Sequence, residues 1–253
     1  MNINDAIQLA EQGNVNAMVA VGQAFLDNND LDNAIRYTEM AGEAGSNNAM
    51  LTAMLLRSIV GSAAMDVNDW DGAEKHYEKA FYWASWINNM YNTTSRNEFS
   101  NEDYCTADKY ALEALYNGGT CYFYQQRFRD AIDASEGLQT SKLKLLHACS
   151  LFQIVGTEQE LQTVFDELKI IENSDFYKNE NFSGKRDDTL VAMAAKILAL
   201  LYREGLGGQP DTKKAHDILS DICTLVQTQS AKTTLSSEMS HYERTLLGGY
   251  IYR

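Results

Sequence analysis

The 253 residues carry 35 acidic against 21 basic side chains, a net charge of −14, with 45% apolar residues and a single proline, Pro210. That balance supplies a core and leaves long helices uninterrupted. An acidic surface repels phosphate backbones and anionic lipid, which argues against nucleic-acid and membrane-surface binding and favours an acidic surface that keeps the protein monodisperse.

The charge is uneven: up to Glu74 the only basic side chains are Arg36 and Arg57, against eleven carboxylates. Cys105, Cys121, Cys149 and Cys223 lie far apart without a C-x-x-C pair, as expected of reduced thiols packed as small apolar groups. The start, Met1-Asn-Ile-Asn-Asp-Ala-Ile7, lacks the basic segment and apolar run of a signal peptide. The longest apolar run, Val191 to Tyr202, is twelve residues and interrupted by Lys196, too short to cross a bilayer. A cytoplasmic location is the expectation.

Asn4 is placed to cap a first helix that ends at Gly13. The next helix carries Ala17, Val21, Ala24 and Phe25 at helical spacing and breaks at Asp27-Asn-Asn-Asp30; Leu31, Ala34, Ile35, Thr38 and Ala41 form the facing stripe of its partner, which ends at Gly45. A joint of about four residues makes the two helices antiparallel neighbours. The unit then restarts. Glu11, Gly13, Asn16, Ala17 and Met18 recur as Glu43, Gly45, Asn48, Ala49 and Met50, an offset of 32, and such periods mark helical arrays.

A pair of alanines seven apart recurs on the second helix of each pair, as Ala34 and Ala41, Ala73 and Ala80, and Ala107 and Ala114, with larger second members in Ala131 to Leu138 and Ala215 to Ile222. Small side chains on one face let a neighbouring helix approach closely. Further helices are expected near 47–65, 69–91, 101–125, 127–137, 140–155, 157–173, 188–205, 211–228 and 231–250. Thr157-Glu-Gln-Glu160 reads as a capping box and Asp211, after Pro210, as an N-cap. Irregular loops are expected near 92–100 and 173–187. The whole predicts an all-α solenoid of antiparallel hairpins, about 11 helices, in a single domain over 1–253.

The pattern Ala10-x-x-Gly13, Ala17, Val21-Gly22-x-x-Phe25, Ala34 and Ala41 resembles the Sel-one-like repeat, a subclass of the tetratricopeptide helical hairpins. A second copy runs from Leu198 through Tyr202, Gly205, Gly207 and Asp211 to Lys214-Ala215, with Ala199 standing where the first copy has Gly22. The two best copies cover about a third of the chain. The resemblance implies a right-handed superhelix acting as an adaptor for proteins or peptides, with no cofactor and no reaction. Secreted members carry paired cysteines within each repeat; the four cysteines here do not fall that way.

No catalytic signature is present: H-E-x-x-H, G-x-S-x-G and G-x-x-x-x-G-K are all lacking. Glu238-x-x-His241 sets a carboxylate and an imidazole on one helical face, but His76, His147 and His216 have no glutamate three residues before them, so the second half of a di-metal site is missing. Gly205-Leu-Gly207-Gly208 follows a helix rather than a strand and reads as a turn.

The concentration that stands out is aromatic: Trp70, Trp83, Trp86 and eight of fourteen tyrosines lie between Trp70 and Tyr124. At about 100° per residue, Ala73, Tyr77, Ala80, Ala84 and Tyr91 share one face of their helix, with Tyr82 opposite and Trp86 near it. Tyrosine and tryptophan dominate binding hot spots, so Tyr82 and Trp86, with Tyr116, Tyr122 and Tyr124 of the following helix, are the candidate partner-binding residues; packing against a further helix is the competing reading. An acidic chain favours a basic or apolar peptide, and the scarcity of cations argues against clamping a partner's acidic tail. A small-ligand-binding protein with an aromatic pocket is the alternative.

Overall fold

The computed structural model describes residues 2–93, 99–137, 140–173, 175–179, 182, 184–206 and 209–239. Among them every regular element is a helix: α1 (Ile3–Glu11), α2 (Val15–Asp27), α3 (Leu31–Glu43), α4 (Asn47–Asp66), α5 (Trp70–Thr93), α6 (Asn101–Tyr124), α7 (Phe128–Ser135), α8 (Ser141–Ile154), α9 (Glu158–Leu168), a 3-10 turn (Lys169–Glu172), α10 (Phe176–Asn179), α11 (Gly184–Arg203) and α12 (Thr212–Leu225). A helical segment at 229–239 follows. The chain is all-α, and each helix packs chiefly on its neighbours in sequence, as helical-repeat hairpins do. Contacts divide the chain into unit 1 (Met1–Gln125) and unit 2 (Gln126–Arg253).

The turns of unit 1 show why the helices stop where they do. Gly13 and Gly45 take φ of 92° and 94°, a conformation that disfavours residues with a Cβ. In the next turns Asn29 and Asn68 take φ of 59° and 60°. Each turn closes with a backbone bond from the third residue past the helix end: Asn14 N–H to Leu9, Asp30 N–H to Phe25, Ser46 N–H to Ala41 and Asp69 N–H to Ala64. Asp30 and Asp69 then accept from the Asn33 and Gly72 amides, starting α3 and α5. One turn chemistry thus serves four consecutive joints. At the amino terminus Asn2, rather than Asn4, caps α1, with the Asn4 amide as donor.

The alanine pairs do the packing expected of them. Ala34, Ala41, Ala73, Ala80, Ala107, Ala131 and Ala215 are all fully buried and Ala114 nearly so; Leu138 lies outside the described residues. Gly42 goes further, since a Cβ there would come within 3.1 Å of the Trp83 ring. By length and composition α4 could cross a membrane, the one such helix among the described residues. Its Ala49, Met50, Ala53 and Met54 are buried in the protein, however, and Arg57 near its middle is paired with Glu39.

In unit 2 the capping box at Thr157 and Glu160 forms with both reciprocal bonds, and Asp211 accepts from the Lys214 amide. The described residues of the expected 173–187 loop are partly helical, against what polar composition suggests. Phe176, Tyr177 and Phe182 are buried and in mutual ring contact, α10 forms, and α11 begins at Gly184 rather than 188. The reason is Asp188. Fully buried, it accepts from the Tyr177 hydroxyl at 2.6 Å and from the Gln227 and Thr228 amides at 3.0 and 2.6 Å, so one carboxylate ties three segments. Asp187 beside it pairs with Lys142 at 3.0 Å.

Candidate functional site

The predicted Tyr82 lines, and Trp86 adjoins, a groove of unit 1 between α3 and α5, crossed by Arg57 of α4. Its supports begin in the core. Trp83 is buried on α5 because α3 presents Gly42 to it, and its indole N–H donates to Glu39 Oε1 at 3.1 Å. Glu39 also accepts from Arg57 through Nε at 2.9 Å and Nη2 at 2.7 Å, a two-pronged pair. The third guanidinium nitrogen, Nη1, lies 3.3 Å from His76 Nδ1; a guanidinium only donates, so that ring nitrogen accepts. Glu39, Arg57, Trp83 and His76 thereby link three helices in one polar chain.

The charges follow from that chain. Burial raises the Glu39 carboxyl, but the hydrogen bonds from Arg57 and Trp83 and the charges of Arg57 and Lys79 outweigh it, leaving Glu39 below the ordinary carboxylate value. Burial, reinforced by the Arg57 charge, holds His76 below the ordinary imidazole value against the pull of Asp32, Glu39 and Asp69. Arg57 and Glu39 retain side-chain exposures of only 19% and 16%, so this pair is screened less than the surface pair Arg127–Asp130, at 44% and 45%.

Arg57 separates two hollows. One, of about 400 Å³, is lined by Asp32, Ile35, Arg36, Glu39, Met40, Glu43, Arg57 and His76. The other, of about 410 Å³, is lined by Arg57, Lys75, Glu78, Lys79 and Tyr82. Beyond Tyr82 stands Trp86, with rings 5.7 Å apart and edge to face, and Trp83 beneath touches both. Tyr82 and Trp86 are 41% and 40% exposed, far above the 1% of Trp83. Lys79 lies 5.3 Å over the Tyr82 ring, and the Trp86 indole N–H is directed at Met90 Sδ, 2.9 Å away. Two exposed aromatics are therefore propped in place.

The other predicted residues scatter. Tyr116 is only 6% exposed on α6, against 41% for Tyr82, which makes it a packing residue and removes it from the candidate surface. Tyr122 is half-buried and donates to Glu78 at 3.3 Å, so it borders the second hollow. Tyr124 is exposed but stacks on Trp70 at 4.4 Å, twelve residues before Tyr82 on α5 and thus about 18 Å along the axis. Lys75, Lys79 and Arg57 were not singled out in sequence. The spacing of Lys75, Lys79, Tyr82 and Trp86, offsets of four, seven and eleven, was the available signal.

Among the described residues no group of three or more His, Cys, Asp or Glu could hold a metal ion; His241 of the Glu238-x-x-His241 pair lies outside them. The four cysteines are thiols rather than disulfides, and burial pushes the Cys149 thiol far above its ordinary value. The second and third glycines of the 205–208 turn also lie outside the described residues. No protein-family model matches the sequence, and no curated protein is significantly similar to it.

Proposed function

We propose that this chain is a cytoplasmic, non-catalytic helical-repeat scaffold, of the Sel-one-like kind, that binds another protein or a peptide through the α5 face of unit 1. The observation that carries this reading is the pair Tyr82 and Trp86. They are exposed and in ring contact, with the buried Trp83 beneath them. Rigid aromatics of this kind bury area on binding with little loss of side-chain freedom.

The test separates binding from folding. Trp86→Ala and Tyr82→Ala are expected to leave helicity and the melting temperature nearly unchanged, while a partner recovered by crosslinking loses at least about tenfold in affinity, the size of a hot-spot truncation. Unchanged affinity in both variants overturns the reading. So does a loss of melting temperature large enough to place both side chains in the core.

One observation favours a second reading, a small-ligand-binding protein. Unit 2 holds a groove of about 610 Å³ whose floor includes Phe152, Ala192, Met193, Ile197, Leu200 and Ala231, a volume in the range of small-molecule sites. Among the described residues Phe152 is its one aromatic, so it is not an aromatic enclosure. A thermal-shift screen decides: stabilisation by metabolites alone replaces the scaffold reading.

A further inference from the structure

We propose that the groove of unit 2 binds one long-chain carboxylate, its head group at Lys185 and its alkyl chain along α11; this goes beyond the peptide-binding reading and does not depend on the unit 1 face. The groove, of about 610 Å³, is formed by one stripe of α11 with Phe152 and Gln153 of α8 and one face of the 229–239 helix. Two ties set its walls. Asp188 accepts from the Gln227 and Thr228 amides, which puts the start of the 229–239 helix beside the start of α11, and further along Glu238 reaches Lys196 at 3.5 Å. The two helices therefore run side by side in the same direction.

The α11 stripe is amphipathic along its length. At about 100° per residue, Lys185, Lys196 and Arg203 fall within about 20° of one another, while Leu200, Met193 and Ile197 lie about 60° to 120° round from Lys185. An apolar strip thus runs beside a row of cations. The strip offers no partners to the N–H and C=O groups of a peptide backbone, whereas an alkyl chain has none to satisfy. From Thr189 to Leu200 the helix rises about 17 Å. Carbon–carbon bonds of about 1.5 Å at near-tetrahedral angles advance an extended chain by about 1.25 Å each, so about fourteen carbons cover the strip.

Charge selects the head group. Unit 1 has seventeen acidic and six basic side chains, but unit 2 has eighteen and fifteen, so the surface that repels anions belongs chiefly to unit 1. Among the described residues three cations and one carboxylate line the groove. Lys196 is held by Glu238, and Arg203 by Glu204 through Nη2 at 2.7 Å and Nε at 2.8 Å. Lys185 is exposed and makes no ion pair among the described residues. The carboxylates that follow it on α11 are committed elsewhere, Asp187 to Lys142 and Asp188 to Tyr177, Gln227 and Thr228. An incoming carboxylate therefore gains a charge-assisted bond from Lys185. Ser230, on the first turn of the 229–239 helix and lining the same groove, adds a hydroxyl donor.

The experiment titrates the full chain by isothermal calorimetry with myristate, tetradecyldimethylamine oxide, tetradecyltrimethylammonium and hexanoate, all below their micelle concentrations. Myristate is expected to bind one per chain, at least about tenfold tighter than the neutral oxide, the cation or the short acid. Lys185→Glu, at an exposed position that leaves the melting temperature unchanged, removes the preference for myristate over the oxide. Thr234→Trp, an exposed residue of the groove wall, fills the groove and weakens all three long-chain compounds. Equal affinity for myristate and the oxide, tighter binding of the cation, hexanoate binding as well as myristate, or more than one myristate per chain each overturns the inference. So do indifference to Lys185→Glu and failure of myristate to bind. Affinity that falls as protein concentration rises assigns the groove to a second copy of the chain and overturns it as well. Trp86→Ala leaves myristate affinity unchanged, and the scaffold reading stands or falls on the Tyr82 and Trp86 variants alone.

Discussion

Units 1 and 2 are both built from helical hairpins, but they fill their interiors with different residues. Of the buried apolar residues described in unit 1, thirteen of twenty-seven are alanine and only four are leucine, isoleucine or valine; of those described in unit 2, sixteen of twenty-nine are leucine, isoleucine or valine. Alanine faces bring helix axes close and leave gaps that Trp83, Tyr77, Met50, Met54 and Met65 fill. Unit 2 packs branched aliphatics against one another in the usual way. Their polar groups differ in the same sense. Asp188 of unit 2 is sealed and spends its oxygens on a hydroxyl and two backbone amides, which is a structural role. The Glu39–Arg57–His76 chain of unit 1 keeps partial exposure and borders the groove, so it braces the fold while staying open to solvent. The contrast separates a sealed tie from a solvent-facing one.

The sharpest way to break the contrast is at Asp188. Asp188→Ala leaves two backbone donors and the Tyr177 hydroxyl without their acceptor, and is expected to cost about 3 kcal/mol; equilibrium denaturation followed by circular dichroism reads it. Tyr177→Phe removes one of the three bonds and is expected to cost about 1 kcal/mol. Costs of equal size for the two would show that the carboxylate is not the hub.

Glu39→Gln comes next, at about 2 kcal/mol, because it weakens a two-pronged charged pair while keeping one acceptor for the Trp83 indole. It carries a pH signature. Glu39 lies below its ordinary value of 4.5, so its contribution is present above that pH and is lost as pH falls through the lower folded value. The variant should therefore flatten the acid limb of unfolding curves taken across that range. An acid limb as steep in Glu39→Gln as in the parent protein assigns the loss to other carboxylates.

The smallest expected effect is in unit 2, where His147 Nδ1 meets Glu167 at 2.7 Å and is raised above its ordinary 6.5, first by that hydrogen bond and further by the charges of Glu167 and Glu136, against the opposing effect of burial. The sign is opposite to that of Glu39: the contribution is full below 6.5 and fades as pH rises through the raised value. Glu167→Gln should remove this alkaline-side decline, read as melting temperature against pH, and a decline of unchanged slope refutes the assignment.

Much of the fold was legible because its signals are local. Glycine turns at 13 and 45, the Thr157 capping box, the Asp211 cap and the alanine pairs are each settled within a few residues, and each is found where the spacing puts it. The site was legible only in part. Helical phase alone set Tyr82 and Trp86 opposite Ala73, Tyr77, Ala80 and Ala84, and their exposure agrees. Tyr116 could not be judged that way, because its burial comes from packing beyond its own helix. The 173–187 segment defeated composition for the same reason: Asp188 finds its backbone donors 39 and 40 residues away.

The sequence by itself determined most of the helices, the glycine joints at 13 and 45 and the inward alanine faces, since these follow from backbone conformation and a 3.6-residue period. Only the tertiary structure decided which charges meet. Arg57 reaches Glu39 eighteen residues back and His76 nineteen ahead, and Trp83 reaches Glu39 across forty-four. Those pairings depend on how closely alanine and glycine let three helices approach, and that distance is a property of the packed assembly, written in no single stretch of the chain.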